Sequence, residues 1–271
     1  VPMTGAVAVL SDNRVDFQRT VLGYQYWTNL NVDGSFALPA VRPATYRLTV
    51  YKPGVWGEFV RDDVTVTAGS PLRIPDALCT PLSNGRTLWQ IGTPDRTSVE
   101  FRRGAEFRQW GLQRYYPTDF PAGVVYTVGT STSADWNYVQ YQKINGQSAP
   151  PWRIRFPLAA APAAGVTAAL TIALAAWSLD TARPVPDVTT NLTIGINGGM
   201  PVLWSFAPGD ARGSLYRSGA GGQYFRRELR FAGSLLRAGT NEITLQINGA
   251  GAPADANNWA AYDAIKLELT G

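Results

Sequence analysis

The sequence predicts an all-β protein made of two successive sandwich modules, and three observations carry that prediction. Short apolar runs recur along the chain and end at Gly, Pro, Asn or Asp, as strands bounded by turns do. Val, Thr, Trp and Tyr are plentiful, whereas helix formers gather in one Ala-rich stretch. Charged residues make up only 16% of the chain, too few for a disordered or coiled-coil protein. Its 271 residues are enough for one large or two smaller cores.

Residues 5–75 read as short strands joined by turns. GAVAVL (5–10) opens the series and GYQYW (23–27) follows. Asp33-Gly34 is a hairpin-type dipeptide, which predicts a strand over SFAL (35–38). TYRLTVY (45–51) alternates with period two, Pro53-Gly54 turns the chain, and GEFVRDDVTVTAG (57–69) alternates again. Strands at this spacing describe a small antiparallel sandwich, and no polar cluster gathers in it, so it reads as a spacer or scaffold. Residues 70–88, with three prolines and Asn84-Gly85, read as a connector.

The second module starts at LWQIG (88–92). PPWRIRF (150–156) alternates Trp152, Ile154 and Phe156 against Arg153 and Arg155, a strand with one apolar and one basic face. Leu158 to Trp177 carries no charge, but its alanines add little transfer energy and Pro162 and Gly165 interrupt it. Val166–Trp177 is therefore read as a buried strand, not a membrane span. NLTIGINGGMPVLWSF (191–206) predicts two strands about a Gly-rich turn, and it contains a glycosylation triplet at Asn191-Leu192-Thr193. GTNEITLQING (239–249) and Tyr262 to Leu269 complete the set of strands.

Composition excludes several chemistries. There is no histidine, so Ser–His–Asp triads, Cys–His pairs and His-ligated zinc are ruled out for this sequence. Cys79 is the only cysteine, so no intrachain disulfide or thiolate cage forms. The net charge of +4 lies wholly beyond residue 79, and only Lys52, Lys143 and Lys266 of the basic residues are lysines. Basic runs are too sparse for a nucleic-acid module. Arginine forks suit a partner bearing carboxylates. Val1 begins almost directly on a strand-like run, as expected of a chain already relieved of a signal peptide.

The stretch 107–141 concentrates the candidate chemistry. It holds Trp110, Tyr115, Tyr116, Tyr126, Trp136, Tyr138 and Tyr141, threaded with Arg108, Arg114, Asp119 and Asp135. Flat rings beside directional donors suit pyranose faces and hydroxyls, although large aromatics are also the usual filling of a β core. Arg102, Arg103 and Arg108 stand near Glu100 and Glu106, either as a surface salt-bridge network or as a rim for uronate carboxylates. A second candidate is the Gly-rich loop 209–231 with Tyr216, Arg217 and Tyr224; its spacing is not that of a phosphate loop.

Three runs resemble a known family. YQYW…DGSFALPAVRPATYRLTVYKPGVWGEF, then LWQIGTPDRTSVEFRRG, then RQWGLQRYYPTDFPAGVVYTVGTSTSADWNYVQ are similar, in this order, to the second and third domains of polysaccharide lyase family 4, the rhamnogalacturonan lyases. The closing NNWAAYDAIKLEL resembles the last strand of that family's third domain. The resemblance implies a fibronectin-III-like β-sandwich over 1–80 and a jelly-roll resembling carbohydrate-binding modules over 85–271. The family's catalytic domain, a larger sandwich, has no counterpart in these residues, so its catalytic lysine and histidine map to no position here.

The expectation is a non-catalytic part of a secreted, extracellular pectin-degrading lyase that docks on rhamnogalacturonan I in the cell wall and presents a catalytic partner domain, with no nucleic-acid or membrane partner. The sugar contacts expected are Trp110, Arg114, Tyr115, Tyr116, Trp136, Tyr138, Tyr216, Arg217 and Tyr224. No cofactor is expected beyond a structural calcium, which jelly-roll binding modules often carry and for which Glu100 and Asp263 are the candidate ligands. Two alternatives stand beside this reading. Lyase activity resides here, with Tyr115, Tyr116 and Arg114 as the formal base set, or both modules only brace a catalytic domain and the rings are core.

Overall fold

TYRLTVY folds as its alternation predicts. β3 (Ala44–Tyr51) buries Tyr46, Leu48 and Val50 on one face and turns Arg47 outward, where it meets Asp62 at 2.6 Å. The computed structural model describes residues 4–12, 25–106, 112–144, 146–178, 189–206, 224–250 and 258–270, and the chain divides into units 1–83 and 84–271.

In the first unit β3 pairs antiparallel with β1 (Val7–Asp12) and β4 (Glu58–Val66), and β2 (Gln25–Asn29) is the far edge beside β1. The inner face is Ala8, Leu10, Tyr46, Leu48, Val50 and Val64, and Phe36, Leu38, Val41 and Ile74 pack against it from outside the strands. The strand expected at 35–38 does not form. Asp33 accepts hydrogen bonds from the Ser35 backbone N–H (2.9 Å) and hydroxyl (2.7 Å), a local turn that competes with ladder pairing, and Pro39 then removes a donor. Phe36 and Leu38 reach the core without a strand to carry them. Of the proline-rich connector, Leu82 is held to this unit by its N–H to the Trp56 carbonyl (2.8 Å), and Leu78 is exposed.

The second unit packs two sheets face to face. One runs β13 (Val202–Phe206), β12 (Thr189–Ile196), β15 (Gly239–Ala250), β10 (Trp152–Leu158) and β6 (Val125–Thr127). The other runs β14 (Phe225–Ala232), β11 (Thr167–Ser178), β16 (Trp259–Thr270) and β5 (Arg86–Gly92), with β7 (Val139–Tyr141) also on β16. A minimal hairpin joins β8 (Lys143–Ile144) to β9 (Gln147–Ser148). Among the described residues the named strands pair antiparallel except β10 with β6. Trp152, Ile154 and Phe156 of β10 face Leu170, Ile172 and Leu174 of β11 across a shared core, as the inner faces of a sandwich do. The uncharged stretch is indeed a strand. Its inner residues enter the core while Ala169, Ala173 and Ala175 on the opposite face are buried too, which is why β11 reads as a continuous apolar run. No helix among the described residues is long and apolar enough to cross a membrane.

Asn191, the glycosylation triplet's acceptor, lies within β12 between Ser205 and Asn248 in register, half-buried, with its Oδ1 enclosed and without a hydrogen-bond partner.

Candidate carbohydrate and cation sites

Within the described part of the ring-rich stretch, Tyr115 and Tyr116 sit on one short helical segment. A single 3₁₀ turn (Leu112–Tyr115) runs into α1 (Tyr116–Asp119), with Pro117 near its N-terminus. Adjacent residues on such a turn point about a hundred degrees apart, so Tyr115 and Tyr116 part company. Tyr116 goes in. Its ring stacks parallel to Trp152 (6.2 Å, 8°) and its hydroxyl accepts a hydrogen bond from Trp152 Nε1–H at 2.6 Å. Trp136 meets Trp152 edge-on at 4.8 Å and Tyr262 at 5.4 Å. Tyr138 is equally enclosed, its hydroxyl 3.4 Å from that of Tyr141.

These placements correct the sequence reading at three positions. Tyr116, Trp136 and Tyr138 are at most 2% exposed, so no sugar ring can lie on them. They are the aromatic filling between the sheets, arranged in the edge-to-face and stacked contacts that ring quadrupoles favour. Burial also pushes the Tyr116 phenol up to about 12, which keeps it protonated near neutral pH and unsuited to taking a proton from a sugar carbon.

Tyr115 goes out. It is 49% exposed, and the Arg103 guanidinium covers one face of its ring at 4.4 Å. Arg103 is itself committed, donating to Asp119 at 2.8 and 3.2 Å and to both Glu106 oxygens at 3.1 Å. The hydrogen bonds to Asp119 raise its pKa further above the ordinary arginine range. For Arg103 the salt-bridge network is thus what forms. Arg102 is looser, 3.8 Å from Asp119 with nearly half its side chain in solvent, and Arg114 is exposed. Trp110, Tyr216 and Arg217 lie outside the described residues, as does Arg108. On β10, Arg153 and Arg155 both turn to Glu242, at 3.3 and 2.9 Å.

Tyr224, at the head of β14, is partly buried under the Arg96 guanidinium, 4.5 Å from its ring centre. Burial, and then the negative charge of Asp263, push its phenol up to about 12.

Asp263 owes its orientation to an irregularity in β16. Ala264 pairs with Ala173 and Tyr262 with Leu174, leaving Asp263 without a register partner, a bulge that re-aims one side chain. Its Oδ1 accepts the backbone N–H groups of Asp95 and Arg96, each at 3.0 Å. Its Oδ2 is buried and unpartnered, as is Oε2 of Glu100, whose Oε1 accepts the Thr93 N–H at 2.8 Å. Burial first, then the charges of Asp95 and Glu100, push the Asp263 carboxyl up to about 8; burial likewise raises Glu100. Two enclosed carboxylate oxygens with no donor are what a hard cation with oxygen ligands requires, so the residues fit calcium. The described residues place no third Asp, Glu or Cys close enough for a cage of side chains, so backbone carbonyls and water would complete the shell. The sequence reading missed Asp95 and Arg96. The signal was available in Gly92-Thr93-Pro94-Asp95, a turn directly after β5.

Gly92 makes this turn possible. Its φ is +74°, and a Cβ there would stand 2.3 Å from the Asp263 carbonyl oxygen and 2.7 Å from the Phe101 ring. Gly92→Ala is expected to lower stability by about 2 kcal/mol or more through combined backbone strain and overlap. Thermal unfolding checks this, and an unchanged midpoint would show that the strand end relaxes freely.

Comparison with known proteins assigns both units. The description "Polysaccharide lyase family 4, domain III", carbohydrate-binding-module-like, matches residues 87–267, and "Polysaccharide lyase family 4, domain II", fibronectin-III-like, matches residues 3–73. The chain belongs to polysaccharide lyase family 4. Among curated relatives, the rhamnogalacturonate lyase B of Emericella nidulans is 31% identical over 91% of this chain, and the probable rhamnogalacturonate lyase B of Aspergillus terreus 32% over 96%. The chain spans only 42% and 44% of their lengths. The family 4 match therefore concerns its second and third domains. Solved structures are only distantly alike, as with an exo-β-1,3-galactanase of Phanerochaete chrysosporium (TM-score 0.31, 11% identity, 98% of this chain and 55% of that one).

Proposed function

We propose that this chain is a non-catalytic, glycan-docking part of a secreted pectin-degrading lyase, holding rhamnogalacturonan I for a catalytic domain outside the matched span. The observation that carries the reading is Tyr115, a half-exposed ring backed by Arg103, with Arg114 next to it in sequence and exposed, and Arg102 only loosely paired. A uronate carboxylate suits such guanidinium groups, and a pyranose face suits the uncovered side of the ring. The absence of histidine supports the non-catalytic part of the reading, as does the commitment of Lys266 to a buried ion pair with Glu268 at 2.9 Å. Calcium, where bound, would be held by Asp263 and Glu100 and would neutralise their charge.

Calorimetric titration with rhamnogalacturonan oligosaccharides tests the proposal. Tyr115→Ala and Arg114→Ala are each expected to weaken binding by about tenfold, a difference of ~1.4 kcal/mol, with little change in melting temperature. Absence of heat at millimolar ligand, with both variants indistinguishable from the parent, would defeat it. A second reading, a purely structural brace, is favoured by the burial of Tyr116, Trp136 and Tyr138, and that null titration is its expected result. Appearance of unsaturated-uronate absorbance on adding substrate, lost in Tyr116→Phe, would instead place lyase activity here.

A further inference from the structure

A tryptophan turned to solvent from the middle of a strand needs a reason, because an indole ordinarily leaves water when a sheet folds. Trp27 is 65% exposed at the centre of β2. Its direction is fixed by its neighbour. Tyr26 turns to the core, edge-on to Tyr46 at 5.9 Å, and its hydroxyl accepts the Arg42 N–H at 3.2 Å. Successive strand residues point to opposite faces, so Gln25, Trp27 and Asn29 stand together on the outer face, and all three are exposed. Trp27 is in register with Val9, Val9 with Thr49, and Thr49 with Val60, which is exposed too. The indole thus heads one row across the sheet, with an amide side chain roughly 7 Å away along the strand on either side.

We propose that this face is a stacking platform for an uncharged pyranose of the polysaccharide, with Trp27 as the ring and Gln25 and Asn29 as its polar flanks. The inference rests on the glycan-docking reading above and adds a second contact of different chemistry, on the unit that sequence alone marks as a spacer. The side chains suit a sugar. An indole offers a flat surface to the C–H groups of a pyranose, and each amide supplies an acceptor oxygen and two N–H donors for the hydroxyls around it. The size of the face points the same way. Four strands about 4.8 Å apart and five residues at ~3.4 Å span roughly 250 Å². A stable protein partner needs about 800 Å² on each side, so this face alone does not hold one. Charge then narrows the ligand. In the rows flanking Trp27 the charged residues are Arg47 and Glu58, and Arg47 is tied to Asp62 at 2.6 Å. Two carboxylates against one guanidinium disfavour a uronate and leave a neutral ring as the fitting occupant. Tyr115 differs in this respect, because its neighbours are arginines.

The test uses the whole chain labelled with nitrogen-15 and follows the indole N–H signals of its nine tryptophans. The Trp27 signal is the one missing from Trp27→Ala, whose remaining indole signals report an intact fold. Titration with a neutral galacto-oligosaccharide to millimolar concentration is expected to move the Trp27 signal saturably. Raising salt from ~0.05 to ~0.5 M should change that affinity less than about twofold, because no charge pair forms. By calorimetry, Trp27→Ala is expected to weaken binding of this probe about tenfold. Gln25→Ala and Asn29→Ala keep the indole and should each weaken it by about fivefold. A Trp27 signal that does not move, or variants that bind the probe as the parent does, overturns the platform. So does sedimentation in which the parent is a dimer and Trp27→Ala a monomer, which makes the face a contact between copies. The neutral probe and the Trp27 signal read this inference alone. Titration of Tyr115→Ala and Arg114→Ala with rhamnogalacturonan oligosaccharides reads the docking site of the second unit, so either result can fail without the other.

Discussion

Trp136→Ala is expected to lower stability by about 3–5 kcal/mol, the range for removing a fully buried tryptophan from a packed core. The side chain is 0% exposed and touches Trp152 at 4.8 Å, Tyr262 at 5.4 Å, Tyr126 at 6.0 Å and Phe101 at 6.3 Å between ring centres. These partners come from β16, β10, β6 and the segment after β5, so one ring ties both sheets together. Truncation leaves a cavity bordered by rigid rings that collapse poorly, which places the loss toward the upper end of the range. Urea unfolding of the parent and variant gives the number directly, with the midpoint shifted and the slope preserved. Any weakening of glycan binding in this variant should then track its unfolded fraction. Tyr115→Ala is the informative contrast, because its half-exposed ring should affect binding while sparing stability. A Trp136→Ala protein as stable as the parent would mean the ring is not the keystone of this core.

The contrast between these rings also marks what the sequence could disclose. Alternation in TYRLTVY and PPWRIRF predicts which side chains face inward, and the structure agrees at Tyr46, Leu48 and Val50 and at Trp152, Ile154 and Phe156. The uncharged β11 is recognisable as a strand and not a span because its alanines add little transfer energy and Pro162 and Gly165 interrupt the uncharged stretch before it. The family resemblance, carried by several ordered motifs, agrees with the matches to the family's second and third domains. The site is another matter. Tyr115 and Tyr116 are neighbours of the same type, and only the direction of one helical turn makes the first a surface ring and the second a core ring. The pattern around Asp263 is likewise silent, because a bulge depends on how β11 and β16 pair and not on β16 alone. SFAL misleads for the reverse reason, since a local Asx turn outcompetes a ladder that nothing in its own residues forbids.

Lys266→Met is expected to cost as much as the loss of Trp136, by a different route. Lys266 and Glu268 lie two apart on β16, 2% and 1% exposed, with Nζ 2.9 Å from Oε2. Glu268 also accepts the Asn84 backbone N–H at 3.2 Å, and Asn84 in turn bonds Arg230 (2.7 Å) and Glu228. Removing one charge of such a buried pair leaves the other uncompensated, a loss of roughly 3–5 kcal/mol, whereas removing both is often nearly neutral. Lys266→Met with Glu268→Gln should therefore recover most of the loss, because glutamine keeps an acceptor for Asn84 and carries no charge. Thermal unfolding of the single and double variants decides the matter. If the double variant is as unstable as the single one, the pair is not balanced in isolation, and the wider set of Asn84, Glu228 and Arg230 shares its charge. The same comparison separates this face of the second unit from the aromatic core: only here should a second substitution restore what the first removes.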